Sequence, residues 1–450
     1  MTLDRRNLLS VGLGATLGAS AAGVRSDAAH AQAARSDDYG LVPGSSIDQA
    51  PVLQLAIDEA ARRGAAVSLP AGKFRIGAIV LRSGTRLLGA NGATVFEFAG
   101  GSTFISGEEI EDIVLEGLTL NGAYQPLSPD ASDALITLKS AQNVRLRNLH
   151  VARSSASGIT LTQCSGSLTD CRIREVMDAA IRSIDATGLD ISHNDVADCG
   201  NNGIQVWRYS LGEDGTTISA NRIARIRADG GGTGQNGNGI NVYRAGGVLV
   251  SGNRITDCAF SAVRGNSASN IQILANNCAR LGEVALYAEF GFQGAVIANN
   301  IVDTAATGIS VTNFNEGGRL AVVQGNLIRN LFRRENEPVD VRGHGISVEA
   351  DTVLSNNVVE KAPTAGIIIG WGTYMREVVA SGNLVRDARI GILVTENRGA
   401  GACLISGNMI SGASDGAIRS MDDNGDPSGP DLVKGDAASG NLSVTGNLSV

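Results

Sequence analysis

Few groups in this chain could do chemistry. Beyond residue 31 the only histidines are His150, His193 and His344. His344 stands in Gly343-His344-Gly345-Ile346-Ser347, with Glu349 and Asp351 close behind. An imidazole beside carboxylates can move protons near neutral pH. Glu289, Tyr287 and Arg264 complete the catalytic candidates: a carboxylate and a phenol can exchange protons, and a guanidinium can balance an anion. Aromatic residues gather after short apolar runs: Trp207, Tyr209, Tyr243, Tyr287, Phe290, Phe292, Phe314, Trp371 and Tyr374 are nine of the chain's 17. Flat rings with polar edges suit the faces of sugars, which makes Trp207, Tyr209, Tyr243 and Trp371 stacking candidates. Arg182, Arg208, Arg244 and Arg264 recur in the same places. Like charges so close repel unless an anion or carboxylates intervene. Either an acidic polysaccharide or internal pairing with Asp185, Glu213, Glu283 and Glu289 answers that repulsion. No cysteine spacing fits a zinc or haem site. Asp422-Asp423-Asn424-Gly425-Asp426 carries part of a calcium-loop pattern but lacks the distal glutamate, so calcium is the one cofactor with any support.

These residues sit on a repeat. An asparagine recurs beside short apolar runs at Asn148, Asn194, Asn221, Asn253, Asn276, Asn299, Asn326, Asn356, Asn383 and Asn408, with Cys171 filling the place after Asn148. The commonest step is 23 residues. A second series, of the form Gly-Ile-x-Val, begins at Gly158, Gly203, Gly239, Gly308, Gly345, Gly366 and Gly391. Runs of four to six residues, rich in Val and Ile, predict strands rather than helices. One such coil cannot bury its own apolar face, but stacked coils can. Asparagines stacked at a turn would hydrogen-bond one another. Gly203 to Gly308 spans 105 residues and Gly239 to Gly345 spans 106, which indicates a duplicated four-coil block. The two long insertions, Arg225 to Asn238 and Leu331 to His344, then leave at the same turn and wall one groove.

Composition agrees. Glycine numbers 58 in 450, aromatics are 4% and apolar residues 43%, which suits short strands and frequent turns. The net charge of -8 argues against nucleic acid as a partner. Asp48 to Arg63 reads as an amphipathic helix that caps one end of the stack. The cysteines Cys164, Cys171, Cys199, Cys258, Cys278 and Cys403 read as buried thiols. The chain therefore divides into a signal (1–31), an N-terminal segment with the capping helix (32–66), the solenoid (67–423) and a Gly/Asp/Ser-rich tail (424–450).

Several resemblances refine this reading. Arg5-Arg6, a short apolar stretch and Ala29-His30-Ala31 resemble a twin-arginine signal. It implies a bacterial protein exported through the twin-arginine machinery to the periplasm or beyond, with no membrane span in its mature form. Asp38-Tyr39-Gly40, Val67 to Ile76 and Ser83 to Gly89 resemble the opening of pectate-lyase-like β-helix proteins. The whole chain is similar to the twin-arginine-translocated repetitive proteins. The fold implied is all-β, a right-handed parallel β-helix: a three-sheet solenoid of about 12–13 coils with an N-terminal capping α-helix. The resemblance places a ligand groove on the outer face of one sheet. Gly343 to Ser347 resembles one polygalacturonase motif, but that family's aspartate trio and Arg-Ile-Lys motif are missing, as is the Asp-Pro-His-Asp motif of alginate epimerases. Two functions follow as expectations: lyase, epimerase or hydrolase chemistry on an acidic polysaccharide, or a non-catalytic glycan-binding or envelope scaffold.

Overall fold

The computed structural model describes residues 34–35, 39–128, 130, 132–334, 343–434 and 438–450. The expected signal, 1–31, lies outside the described residues. Three parallel sheets run the length of the molecule, here called A, B and C, with 17, 15 and 15 strands. One coil takes a strand from each: Ile271–Leu274 in A, Asn277–Leu281 in B and Val284–Glu289 in C. Sheet C carries fourteen parallel strands and one short antiparallel strand, Pro427–Ser428. There are thus about fourteen coils, slightly more than the 12–13 expected.

Alternation along each strand builds the core. In sheet C an inward row runs Ile159, Ile181, Ile204, Ile240, Val263, Leu286, Ile309, Ile346, Ile367 and Ile392 in direct register. Every one of these side chains is fully buried. These are the apolar positions of the Gly-Ile-x-Val runs, and x faces outward. Helix α1 (Ala50–Arg63) covers one end with Leu53, Ala56, Ile57 and Ala60. At the other end Leu442–Thr445 and Leu448–Ser449 pair in parallel with the preceding coil. The two GNLSV copies are therefore the last rung of the solenoid rather than a separate tail.

The asparagine ladder stands between sheets A and B, and three assignments need correction. Its members are Asn194, Asn221, Asn253, Asn276, Asn300, Asn326, Asn357, Asn383, Asn408 and Asn447, with Cys171 before them. Asn300 and Asn357 hold the rungs expected of Asn299 and Asn356, and Asn148 is outside the ladder. Asn299 and Asn356 instead take the left-handed conformation one residue earlier, at φ 58° and 55°. The rung residue itself is held by its amide. Asn276 Oδ1, for example, accepts from both the backbone N–H and the amide of Asn253 at 3.0 Å. Each buried amide is thereby satisfied by the coils above and below.

All six cysteines are buried and free. Burial pushes the Cys199 and Cys278 thiols up to about 12. Both insertions leave sheet B and return to sheet C four coils apart, between Arg222–Ile226 and Asn238–Gly246 and between Leu327–Arg329 and His344–Val348. Residues 335–342 of the second lie outside the described residues. Among the described residues no helix is long and apolar enough to cross a membrane.

Candidate functional site

The outer face of sheet C holds the candidate residues in two rows. The central row, the x of Gly-Ile-x-Val, reads Thr160, Arg182, Gln205, Asn241, Arg264, Tyr287, Ser310, Ser347, Ile368 and Leu393. A second row, two residues on, includes Trp207, Tyr243, Asn266 and Glu289. Though these positions point outward, Arg264 is only 9% exposed and Ser347 only 7%. The insertion accounts for part of this cover: Arg264 donates to Thr233 O at 3.4 Å. Gly234, at φ 146°, lies so close that a Cβ there would overlap the Arg264 guanidinium.

One hollow, about 350 Å³, is lined by Tyr287, Asn313, His344, Ser347, Glu349, Trp371 and Tyr374. Three titratable side chains, Tyr287, His344 and Glu349, therefore converge beside two aromatic rings. His344 is fully buried at the first position of its strand, in register with Thr307 and Ala365. Glu349 accepts the backbone N–H of Phe314 at 2.6 Å, which fixes its carboxylate. The Ser347 hydroxyl faces this space and has no hydrogen-bond partner among the described residues. Trp371 and Tyr374 form a tight hairpin. Trp371 rests on a small apolar cluster of Ile368, Ile390, Leu393 and Met421.

A second hollow, about 370 Å³, is lined by Trp207, Gln235, Asn241, Tyr243, Arg264, Asn266 and Phe290. The rings of Trp207 and Tyr243 meet edge to face with centroids 6.3 Å apart. Trp207 Nε1 is buried without a hydrogen-bond partner among the described residues. No imidazole or carboxylate lines this second space.

Arg264, in the wall of the second hollow, is in register with Tyr287 of the first, and it pairs with Glu289. Their bidentate contacts are 2.6 and 3.0 Å, and Asn266 adds a third donor to Glu289 at 3.1 Å. Burial pushes the Glu289 carboxyl up, against the pull of Arg264. Tyr287 also hydrogen-bonds Glu289 through its side chain, and the Arg264 guanidinium lies 5.2 Å from the Tyr287 ring centre.

The four arginines do not form one array. Arg182 and Arg264 share the central row three coils apart. Arg208 and Arg244 lie one residue beyond the second row, within their strands. Each is already engaged. Arg182 pairs with Asp133 at 2.7 Å and with Asp178. Arg208 lies within 4.0 Å of Asp185 and Asp214. Arg244 stacks 4.8 Å over Tyr243 and donates to Tyr209 O at 2.8 Å. Tyr209 is 71% exposed and lines neither hollow. Trp371 belongs with His344, not with Trp207, and Phe292 is core. Sequence reasoning missed Ser347, Asn266, Gln235 and Asn313. The x position of Gly-Ile-x-Val was the available signal for Ser347.

No group of three or more His, Cys, Asp or Glu side chains that could hold a metal occurs among the described residues. Asp422 Oδ1 accepts the backbone N–H of Asn424 and of Asp426, both at 2.9 Å. That carboxylate is committed to its own turn.

Comparison with known proteins agrees with this architecture. Residues 209–385 match the family described as right handed beta helix region. Residues 103–279 match the family described as periplasmic copper-binding protein (NosD). The residues present do not fit copper: no donor cluster exists among those described, and all six thiols are buried. No curated protein matches the sequence. Among solved structures, the N-terminal fragment of bacteriophage phi29 gene product 12 is similar at 16% identity. That match covers 92% of this chain and 70% of that one, with a TM-score of 0.58. The enzymatically active domain of bacteriophage CBA120 tailspike protein 2 matches at 14% identity over 72% of this chain and 47% of that one, with a TM-score of 0.50. A mannuronan C-5 epimerase module of Azotobacter vinelandii matches at 16% over 92% of this chain and all of that one, with a TM-score of 0.39. The first two likenesses show the fold. The chain is a right-handed parallel β-helix.

Proposed function

We propose that this β-helix is an exported protein that binds a polysaccharide along the outer face of sheet C and transforms it at the hollow around His344. One observation carries the reading: Tyr287, His344 and Glu349 converge on a single space beside Trp371 and Tyr374. Fold alone does not choose a function, but proton-moving groups beside sugar-stacking rings do favour carbohydrate chemistry. The Arg5-Arg6 segment and the match to a family described as periplasmic support export.

The chain's own residues divide the labour. Tyr287 exchanges a proton with the sugar. Glu289, whose carboxyl burial keeps readily protonated, takes up or returns that proton through its hydrogen bond to Tyr287. Arg264, above the ring, stabilises the phenolate between these events. His344 and Glu349 serve the opposite side of the hollow. Ser347 offers a hydroxyl to the substrate. An acidic polymer fits best, because a substrate carboxylate at the junction would share Arg264 with Glu289. Lyase, epimerase and hydrolase chemistry all begin with such a proton transfer.

Binding without turnover is the second reading. It is favoured by the Trp207 hollow, which holds rings and a paired arginine but no acid-base pair. Proton NMR of pectate, alginate, hyaluronan and neutral glucans incubated with the mature protein, with and without calcium, separates the two. New unsaturated ends, epimerised residues or cleavage, abolished in Tyr287→Phe, establish the enzyme. Line broadening of one polymer without any product leaves a glycan-binding solenoid.

A further inference from the structure

The outer face of sheet B carries a different row of charge. In direct register it reads His150, Arg172, Asp195, Arg222 and Arg254. Arg174, one coil from Asp195, donates to both its carboxylate oxygens at 2.9 and 2.8 Å. Arg172 reaches the same carboxylate only at 3.8 Å. One aspartate thus serves two arginines and is spent. Arg222 and Arg254 lie side by side on adjacent strands, both exposed. Among the described residues neither makes an ion pair or a side-chain hydrogen bond. Strands in a sheet are about 4.8 Å apart, so two like charges stand at close range with no acid between them.

The turn beside this row behaves in the opposite way. There Arg153 pairs with Glu175, Arg225 with Asp198 and Arg280 with Asp257. Charge on that turn cancels rung by rung. The arginines of the sheet C groove are likewise engaged, three with acids and Arg244 with the Tyr243 ring and Tyr209 O. In a chain of net charge -8, four arginines against one aspartate on a flat face is a local reversal of sign. Next to it, His150, Arg153, Arg172 and Arg174, with Glu175 as the one acid, border a hollow of about 520 Å³, which gives the row a recessed end.

We propose that this row is a second binding surface, on a face separate from the sheet C groove, and that its ligand is an acidic polysaccharide laid along the solenoid axis. From His150 to Arg254 the row spans four strand spacings, about 19 Å. Its cations recur at the sheet's own spacing, which suits an extended polymer bearing regular carboxylates or sulfates. Guanidinium groups bind such oxyanions through paired, charge-assisted hydrogen bonds. The row holds no large apolar side chain to enter a lipid surface; exposed apolar residues on sheet B begin only at Ile301. The surface holds and orients the polymer and performs no chemistry on it.

Affinity electrophoresis of the full mature chain tests this, with gels containing polygalacturonate, alginate or neutral dextran. Both acidic polymers retard the protein, dextran does not, and added salt weakens the retardation. The double variant Arg222→Ala, Arg254→Ala, whose side chains are exposed and outside the core, loses affinity about tenfold or more with an unchanged circular dichroism spectrum. Arg280→Ala, which removes an exposed cation on the adjoining turn where it pairs with Asp257, keeps the retardation. Equal retardation of the double variant, equal retardation by dextran, or binding of phosphatidylglycerol vesicles in place of the acidic polymers would each overturn the proposal.

Discussion

The two hollows on sheet C began as copies of one design and now differ in kind. Each lies beside an insertion that leaves sheet B at the same turn, four coils apart, and Gly239 and Gly345 are 106 residues apart. The equivalent position just before each glycine is Asn238 in one and His344 in the other. Asn238 is fully spent on structure. Its amide donates to Gly234 O at 2.8 Å and to Asn202 Oδ1 at 3.2 Å, and its own Oδ1 accepts Ser261 N–H at 3.4 Å. It ties the insertion loop down over Arg264. His344 brings a ring that can titrate to the same backbone site, with Tyr287 and Glu349 across the space. The repeat kept the scaffold, and under the proposed function one copy holds the polymer while the other does chemistry on it.

The largest expected effect breaks that symmetry directly. Tyr287→Phe removes the one phenol that links the His344 hollow to Glu289. Turnover should fall about 10²- to 10⁴-fold, while the melting temperature stays put. Tyr243→Phe, one coil beyond Arg264, should leave turnover of bound polymer within about twofold. Rates from the same NMR assay decide. Equal losses in the two variants would mean that the hollows do not divide the work as described.

Next in size is the shared wall. Arg264 and Glu289 retain side-chain exposures of only 11% and 3%. Glu289→Gln leaves the guanidinium without its bidentate carboxylate, with Glu283 3.8 Å away as its remaining acid. Removing one partner of a buried pair costs about 3 kcal/mol or more, read as a lower urea midpoint. A loss within experimental error would show that water reaches this junction and that the hollows are less enclosed than their walls indicate. A smaller change belongs to the holding side alone. Trp207→Ala should weaken polymer binding by about 1 kcal/mol, roughly fivefold in KM, with kcat unchanged. Trp371→Ala should lower kcat as well, because its ring borders the reacting groups.

Much of the scaffold was legible in the sequence, since burial imposes an alternation that runs of Val and Ile display openly. The capping helix and the coil period follow from the same logic. The ladder was misread at Asn148, which takes the left-handed turn at φ 50°, and at Asn299-Asn300 and Asn356-Asn357. Two successive asparagines are each able to take the left-handed turn or the rung, and only stacking selects between them. The site was less legible because its pairings run between coils. Arg182 meets Asp133, 49 residues away, and Arg264 meets Glu289, 25 residues away. Spacing along the chain cannot say which arginine will find an acid. Thus Arg182, Arg208 and Arg244 looked available and are engaged, whereas Arg222 and Arg254 drew no notice and stand open.

The finest test uses pH at the junction of the two hollows. Burial raises the Glu289 carboxyl above the ordinary glutamate value of 4.5. A carboxyl raised in the folded state holds its proton there more readily than in the unfolded chain. Its contribution to stability therefore falls as pH climbs from the ordinary value through the folded one, and stays lower above it. Asp257, Asp303 and Asp351 act in the opposite sense. Hydrogen bonds from Arg280, Asn330 and Arg376, respectively, hold them below the usual carboxylate range, so their contribution is lost as pH falls through their folded values. These terms overlap in the wild-type curve. Subtracting the stability of Glu289→Gln from that of the wild type at each pH cancels the aspartates and leaves the pair. The difference should decline as pH rises above about 4.5. A difference that rises instead would mean that Arg264 outweighs burial and that Glu289 holds a proton too weakly to return one to Tyr287.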